Sequence, residues 1–372
     1  MRVLLTGGGT AGHINPALAI ADIIKANDAS SVIEFVGTKT GKENDLVVRE
    51  GYRLHHVRTM GISRSLSPSN IKALWLALTS PYAGETVKII RDFKPDIVIG
   101  TGGYVSWPLM AAAARMKIPT AVHESNALAG LAVKKLQRRV DRVWVNFERT
   151  RAQLSPKAHV VRVGNPLRHG FGALSYEEAR QRLNIKEGQR LILSVGGSLG
   201  AEAVTNAAID MMKEIVAGDE TLLHVHSAGQ KKYDEARARF EELGLAEHSN
   251  CRLVEYIYEM PLYMAAADLV ISRAGAMTVS ELARLGKACI LIPSPNVVDD
   301  HQYKNAKMIA DADGAVLVEE KDLASGALTN AVKQLLSDRG ALAALEKNVK
   351  GFADVDANRM IWMEILQLLK KA

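Results

Sequence analysis

The sequence predicts an α/β protein with two Rossmann-like domains, each a doubly wound parallel sheet, and three observations carry that expectation. In the first half, short β-branched runs at residues 3–6, 32–36, 97–100, 121–123 and 143–146 alternate with helical periodicity. A second series begins near residue 190 with LILSVGG and continues through TLLHVHS, CRLVEY, DLVISRAG, ACILIPS and GAVLVEE. A glycine-rich turn leaves the first strand of each series. Strands alternating with helices make parallel sheets, whose ligands bind at the carboxyl ends of the strands. Two such series predict two domains, at residues 1–164 and 176–352, facing each other across a cleft. The hinge is expected at 165–175, within VGNPLRHGFGALS, where Gly, Pro and Asn cluster and apolar periodicity lapses. A helical stretch, 353–372, closes the chain.

At 372 residues, 48% of them apolar, the chain is long enough for two cores. Cys251 and Cys289 stand in apolar sequence without metal-ligand or redox spacing and read as buried thiols of a reducing compartment. The opening MRVLLTGGGT reads as a strand, too short for a signal-peptide core. No stretch reaches the roughly 20 apolar residues of a membrane span. Charge is uneven: 24 Lys and Arg against 12 Asp and Glu through residue 168, and 23 against 29 beyond it. A basic first half suits nucleic acid or an anionic membrane surface. Trp75, Leu76 and neighbouring apolar residues between Ser63 and Arg91 are rimmed by cations, and Lys134, Lys135, Arg138 and Arg139 add to them. This is the composition of interfacial adsorption to anionic lipid.

The turn after the first strand runs Gly7, Gly8, Gly9, Thr10, Ala11, Gly12, His13, with Asn15 expected as cap and Pro16 as first residue of the following helix. Gly7, Gly9 and Gly12 fit G-x-G-x-x-G, and Glu34 follows at about the distance of a ribose-binding acid. Any turn bringing backbone N–H groups to an anion uses the same glycines, and Glu34 sits in mid-strand, so the fit does not by itself mean a nicotinamide cofactor. The second domain repeats the device at Gly196, Gly197, Ser198, Leu199 and Gly200, which a single-cofactor dehydrogenase rarely needs. A third loop, Arg273 to Thr278, opens a helix whose amino terminus suits a phosphate, with Glu281 close behind for ribose hydroxyls. Asp354-Val355-Asp356 has D-x-D spacing but lies at a helix start, where acids complement the dipole. Asp299-Asp300 reads as a loop and cap.

Seven ordered stretches, GGGTAGHINPALA, GTGGYVSWP, HESNALAG, VGNPLR, GGSLGA, SRAGAMTVSE and IPSPNVVDDHQYKNA, together resemble the peptidoglycan N-acetylglucosaminyltransferases. The resemblance covers essentially the whole chain. It implies the GT-B architecture, with the final helix crossing back to the first domain. It also implies transfer of N-acetylglucosamine from UDP-GlcNAc to lipid I, forming lipid II with inversion and without a cofactor or nucleic acid. The acceptor implies a peripheral place on the cytoplasmic face of the cell membrane, with cell-wall synthesis proteins as possible partners. On matching positions it implies Ile257 at the uracil, Glu281 at the ribose, and Arg168, Ser198, Ala276, Met277 and Thr278 at the phosphates. Asn126 and Gln302 would hold the sugar, and Thr10, Ala11 and Gly12 would close over it. His13, Tyr104, His123 and Glu124 would face the acceptor, with His13 the first choice of general base and Glu124 the second. Leu199 stands where relatives often carry Gln, and Val133 where many carry Asn. The rivals are a diacylglycerol glycosyltransferase of the same fold, a dinucleotide-binding oxidoreductase and a non-enzymatic sugar-nucleotide sensor.

Overall fold

The computed structural model describes every residue except 61–78, 80–83, 198–199, 298–299, 354–355 and 371–372. Two compact units form, Met1–His169 together with Val355–Ala372, and Gly170–Asp354. The first holds seven parallel strands: β1 (Arg2–Thr6), β2 (Val32–Gly37), β3 (Arg53–His56), β4 (Ile97–Gly100), β5 (Thr120–Glu124), β6 (Arg142–Val145) and β7 (Val160–Arg162), ordered β3-β2-β1-β4-β5-β6-β7. The second holds six: β8 (Arg190–Val195), β9 (Leu222–Ser227), β10 (Cys251–Val254), β11 (Leu269–Ser272), β12 (Cys289–Leu291) and β13 (Val316–Leu317), ordered β10-β9-β8-β11-β12-β13. Each order reverses once, between β1 and β4 and between β8 and β11. Those switch points are where a doubly wound sheet opens a crevice for ligand.

Strands covered on both faces read as continuous apolar runs. Val3, Leu4 and Leu5 in β1, and Leu191, Ile192 and Leu193 in β8, are accordingly shut off from solvent. β7, three residues long, escapes the sequence reading because so short a run shows no periodicity.

One local expectation is corrected. The first helix is Ala11–Asn27, beginning on an extended Thr10 and carrying Pro16 inside it. The Thr10 carbonyl accepts from His13 N at 3.1 Å and Ile14 N at 3.3 Å, closing the first turn before the proline. Pro16 then withholds an N–H only from the carbonyl of Gly12, an exposed residue. His13 therefore rides on the first helical turn instead of in a loop before it.

The last helix, Ala357–Lys370, belongs to the first unit. Ile361, Ile365 and Leu368 share a core with Ile14 and Leu18 of the first helix. Glu364 fixes the register: its Oε2 accepts from the buried Trp144 indole at 3.3 Å and pairs with Arg142 at 3.3 Å. Replacing it by Ala strands both donors, so Glu364→Ala is expected to lower stability by about 1–3 kcal/mol, as thermal unfolding will measure.

Candidate functional site

At the first switch point, the loops after β1 and β4 meet around His13. Its Nδ1 stands 3.1 Å from the Thr101 carbonyl. The Thr101 hydroxyl donates to the carbonyl of His13 at 2.6 Å, with the Thr6 carbonyl 3.3 Å away. Thr10 and Gly12 are exposed beside it, and the Tyr104 ring lies against Gly9, where an added Cβ would come within 2.9 Å of Cε1. Burial, and then the charge of Glu43, raise the Tyr104 phenol above its ordinary value.

Glu43 itself escapes a reading by motif. It opens the helix Glu43–Arg49 and looks there like a dipole-complementing acid, yet it is 1% exposed. Its carboxylate accepts from Thr38 N at 2.8 Å, Thr38 Oγ1 at 2.7 Å and, more distantly, Gly9 N at 3.4 Å. A negative charge thus braces the glycine turn from behind. Glu34, the fingerprint's candidate acid, is engaged sideways by His55 and Arg53 of β3.

The other first-unit candidates differ in what they are free to do. Glu124 is 3% exposed; its Oε1 accepts from Asn126 N at 3.0 Å and Nδ2 at 3.1 Å, and its Oε2 from Gly130 N at 2.7 Å. It is the brace of the loop after β5, and Asn126 is bound into the same brace. His123 is fully buried, bonded through Nε2 to the Gly164 carbonyl at 2.8 Å, and burial pushes its pKa down to about 4. An acceptor could meet this imidazole only by opening the packing that encloses it. Arg168 holds Asp22 at 2.7 Å and Glu50 at 2.8 Å, so a phosphate would have to displace these carboxylates. Val133 is packed in the apolar core, which accounts for an apolar residue there.

At the second switch point, the loop after β11 leads into the helix Ala276–Leu285, whose N-cap, Gly275, supplies no side-chain bond. Ala276, Met277 and Thr278 form its first turn, so its positive end carries no capping oxygen from that residue. Asn305, unforeseen from the sequence, donates to the Ala274 carbonyl at 3.2 Å from a fully buried side chain and holds this loop. Ser272 Oγ, at the end of β11, is buried and has no hydrogen-bond partner among the described residues.

Glu281 is the telling residue of this unit. Burial lifts its carboxyl to about 7, and no hydrogen bond or ion pair to it exists among the described residues. A carboxylate left desolvated and unpaired costs stability, which a ligand with hydroxyl donors would recover. Ile257 offers a parallel case: its side chain is buried, and its backbone N–H donates to no acceptor among the described residues. Gln302 accepts from Ser294 N at 2.9 Å through Oε1. Ser198, Leu199, the 61–78 stretch with Trp75 and Leu76, and Asp299, Asp354 and Val355 lie outside the described residues.

Comparison with known proteins adds the following. The glycosyltransferase family 28 N-terminal domain matches residues 3–145, and the family's C-terminal domain matches residues 191–359. The UDP-N-acetylglucosamine–N-acetylmuramyl-(pentapeptide) pyrophosphoryl-undecaprenol N-acetylglucosamine transferase of Acetivibrio thermocellus is 40% identical, over 100% of this chain and 99% of its own. The enzyme of the same name from Halalkalibacterium halodurans is 35% identical over 100% of both chains. Among solved structures, MurG of Acinetobacter baumannii superposes with a TM-score of 0.74 at 27% identity, covering 100% of this chain and 99% of that one.

Proposed function

The chain belongs to glycosyltransferase family 28, and we propose that it moves N-acetylglucosamine from UDP-GlcNAc to the C4 hydroxyl of the N-acetylmuramyl sugar of lipid I, yielding lipid II. One observation carries the reading: the 40% identity to a transferase of that name runs over the whole chain, leaving no domain unaccounted for. The unpaired carboxylate of Glu281 and the backbone N–H of Ile257 support it from the donor side, as groups suited to ribose hydroxyls and a uracil edge.

The acceptor oxygen attacks the anomeric carbon from the face opposite UDP. As the new C–O bond forms, the bond to the β-phosphate oxygen breaks and its electron pair leaves on the diphosphate, inverting the centre. The helix start at Ala276 to Thr278 stabilises that developing charge through its N–H dipoles. His13 takes the hydroxyl proton on Nε2. Glu124 is the weaker candidate because three hydrogen bonds already engage its carboxylate oxygens. Alignment of donor and acceptor supplies much of the remaining rate.

A lipid acceptor brings the enzyme to the cytoplasmic face of the membrane as a peripheral protein. No helix among the described residues is long and apolar enough to cross a membrane. Exposed Leu131, followed by exposed Lys134, Lys135, Arg138 and Arg139, supports adsorption to anionic lipid. Mass spectrometry of products from the purified chain, UDP-GlcNAc and a short-chain lipid I analogue tests the reaction. One added N-acetylhexosamine on the analogue is expected. Transfer to diacylglycerol and not to the analogue would overturn the acceptor, and steady absence of turnover would overturn the enzyme.

A further inference from the structure

We propose that the two glycine loops of the first switch point are a mount for one imidazole, with Thr101 as its positioning residue, and that the mount holds His13 with its proton on Nδ1. This deepens the assignment of His13 as base and rests on it.

The tautomer follows from the partner. A carbonyl oxygen only accepts, so the 3.1 Å contact between Nδ1 and the Thr101 carbonyl requires a proton on Nδ1. In the neutral ring Nε2 is then the acceptor, the form a base needs. Thr101 acts a second time through its hydroxyl, which donates at 2.6 Å to the carbonyl of His13. One residue thus fixes both the backbone bearing the imidazole and the ring's orientation.

The glycines are where this arrangement needs them. A Cβ on Gly7 would stand 2.0 Å from Thr101 Oγ1 and 2.5 Å from the His13 carbonyl oxygen, in the path of that bond. On Gly102 it would stand 3.0 Å from His13 Nδ1, and on Gly103, 3.0 Å from His13 Cδ2 and 2.5 Å from the Gly8 carbonyl. Gly102 and Gly103 also hold left-handed φ values of +91° and +75°, which side chains resist. Of the turn's N–H groups, that of Gly9 faces the buried carboxylate of Glu43 at 3.4 Å.

Nitrogen-15 NMR of the histidine rings in the full chain, with kinetics of Thr101→Val, Thr101→Ser and Gly102→Ala, tests the mount. Wild-type His13 should show the Nδ1–H tautomer. Thr101→Val should mix the tautomers and lower kcat by roughly ten- to a hundredfold, the loss expected for a misplacement of about 1 Å. The UDP-GlcNAc KM should stay within about twofold, because a ground-state contact is not what is lost. Thr101→Ser should restore most of the rate and the single tautomer, and Gly102→Ala should behave as Thr101→Val. An Nε2–H tautomer in wild type overturns the mount even if the Val variant fails to fold. So does a folded Thr101→Val variant with wild-type kcat, or one whose only change is a raised KM. If His13→Ala retains its rate while the wild-type ring shows the Nδ1–H form, the base assignment fails and the positioning by Thr101 stands.

Discussion

His13→Ala is expected to lower kcat by about a hundred- to ten-thousandfold, the range of a well-placed acid–base group, while UDP-GlcNAc affinity changes little. Steady-state turnover alone can hide the effect, because slow UDP release masks a slower chemical step. The measurement is therefore single turnover at saturating donor. A bond from His13 to the donor phosphates or sugar would produce a different pattern. His13→Gln or His13→Asn would then recover much of the rate, and the Ala variant would bind donor poorly. Single-turnover rates near wild type in His13→Ala would remove the base, and Glu124 would have to give up part of its loop-bracing bonds to replace it.

Glu281→Ala is expected to raise the UDP-GlcNAc KM by about ten- to a hundredfold, since a charged acceptor of ribose hydroxyl bonds contributes roughly 1.5–3 kcal/mol. The carboxyl's pKa of about 7 adds a sign that an ordinary surface acid would lack. Hydroxyl donors favour the ionised form, so donor affinity should rise with pH through neutrality and become flat in the Ala variant. Stability runs the other way. Between the unfolded value near 4.5 and about 7 the folded state holds the extra proton, so the ligand-free protein loses stability as pH rises through that window. Glu281→Gln should abolish the loss, which amounts to at most about 1.4 kcal/mol per pH unit. Calorimetry of the two proteins at pH 5 and pH 8 measures the difference. Unchanged donor kinetics in a folded Glu281→Ala variant would take the residue out of the site.

The architecture was legible because buried parallel strands announce themselves as short apolar runs, and both glycine turns mark where the first strand of a unit ends. Most candidate side chains were legible only as types. Periodicity cannot tell that the carboxylate of Glu124 is consumed by Asn126 and Gly130, or that Arg168 is held by Asp22 and Glu50. Those bonds join residues far apart in the chain or hidden in a loop's own closure. Glu43 and Asn305 were missed for the same reason: each acts on a loop about 30 residues away, a contact that neither its own residue type nor its neighbours in the chain announce. The helix start at Ala11 was misread because Pro16 is a strong first-turn signal, and the closure at Thr10 that makes it tolerable has no composition of its own.

That the final helix completes the first unit bears on how the chain is made. Residues 1–169 leave the ribosome with one flank of their sheet unfinished, and the segment that covers it emerges last, after all of the second unit. At bacterial or eukaryotic elongation rates, the delay is on the order of ten to forty seconds. Throughout it, the stripe of Ile14 and Leu18 awaits Ile361, Ile365 and Leu368. A nascent chain in that interval offers an apolar groove of helical width, the kind of surface a holding chaperone binds. A stop codon shortly before Ala357 would make that transient state permanent, even though it leaves every candidate site residue in place.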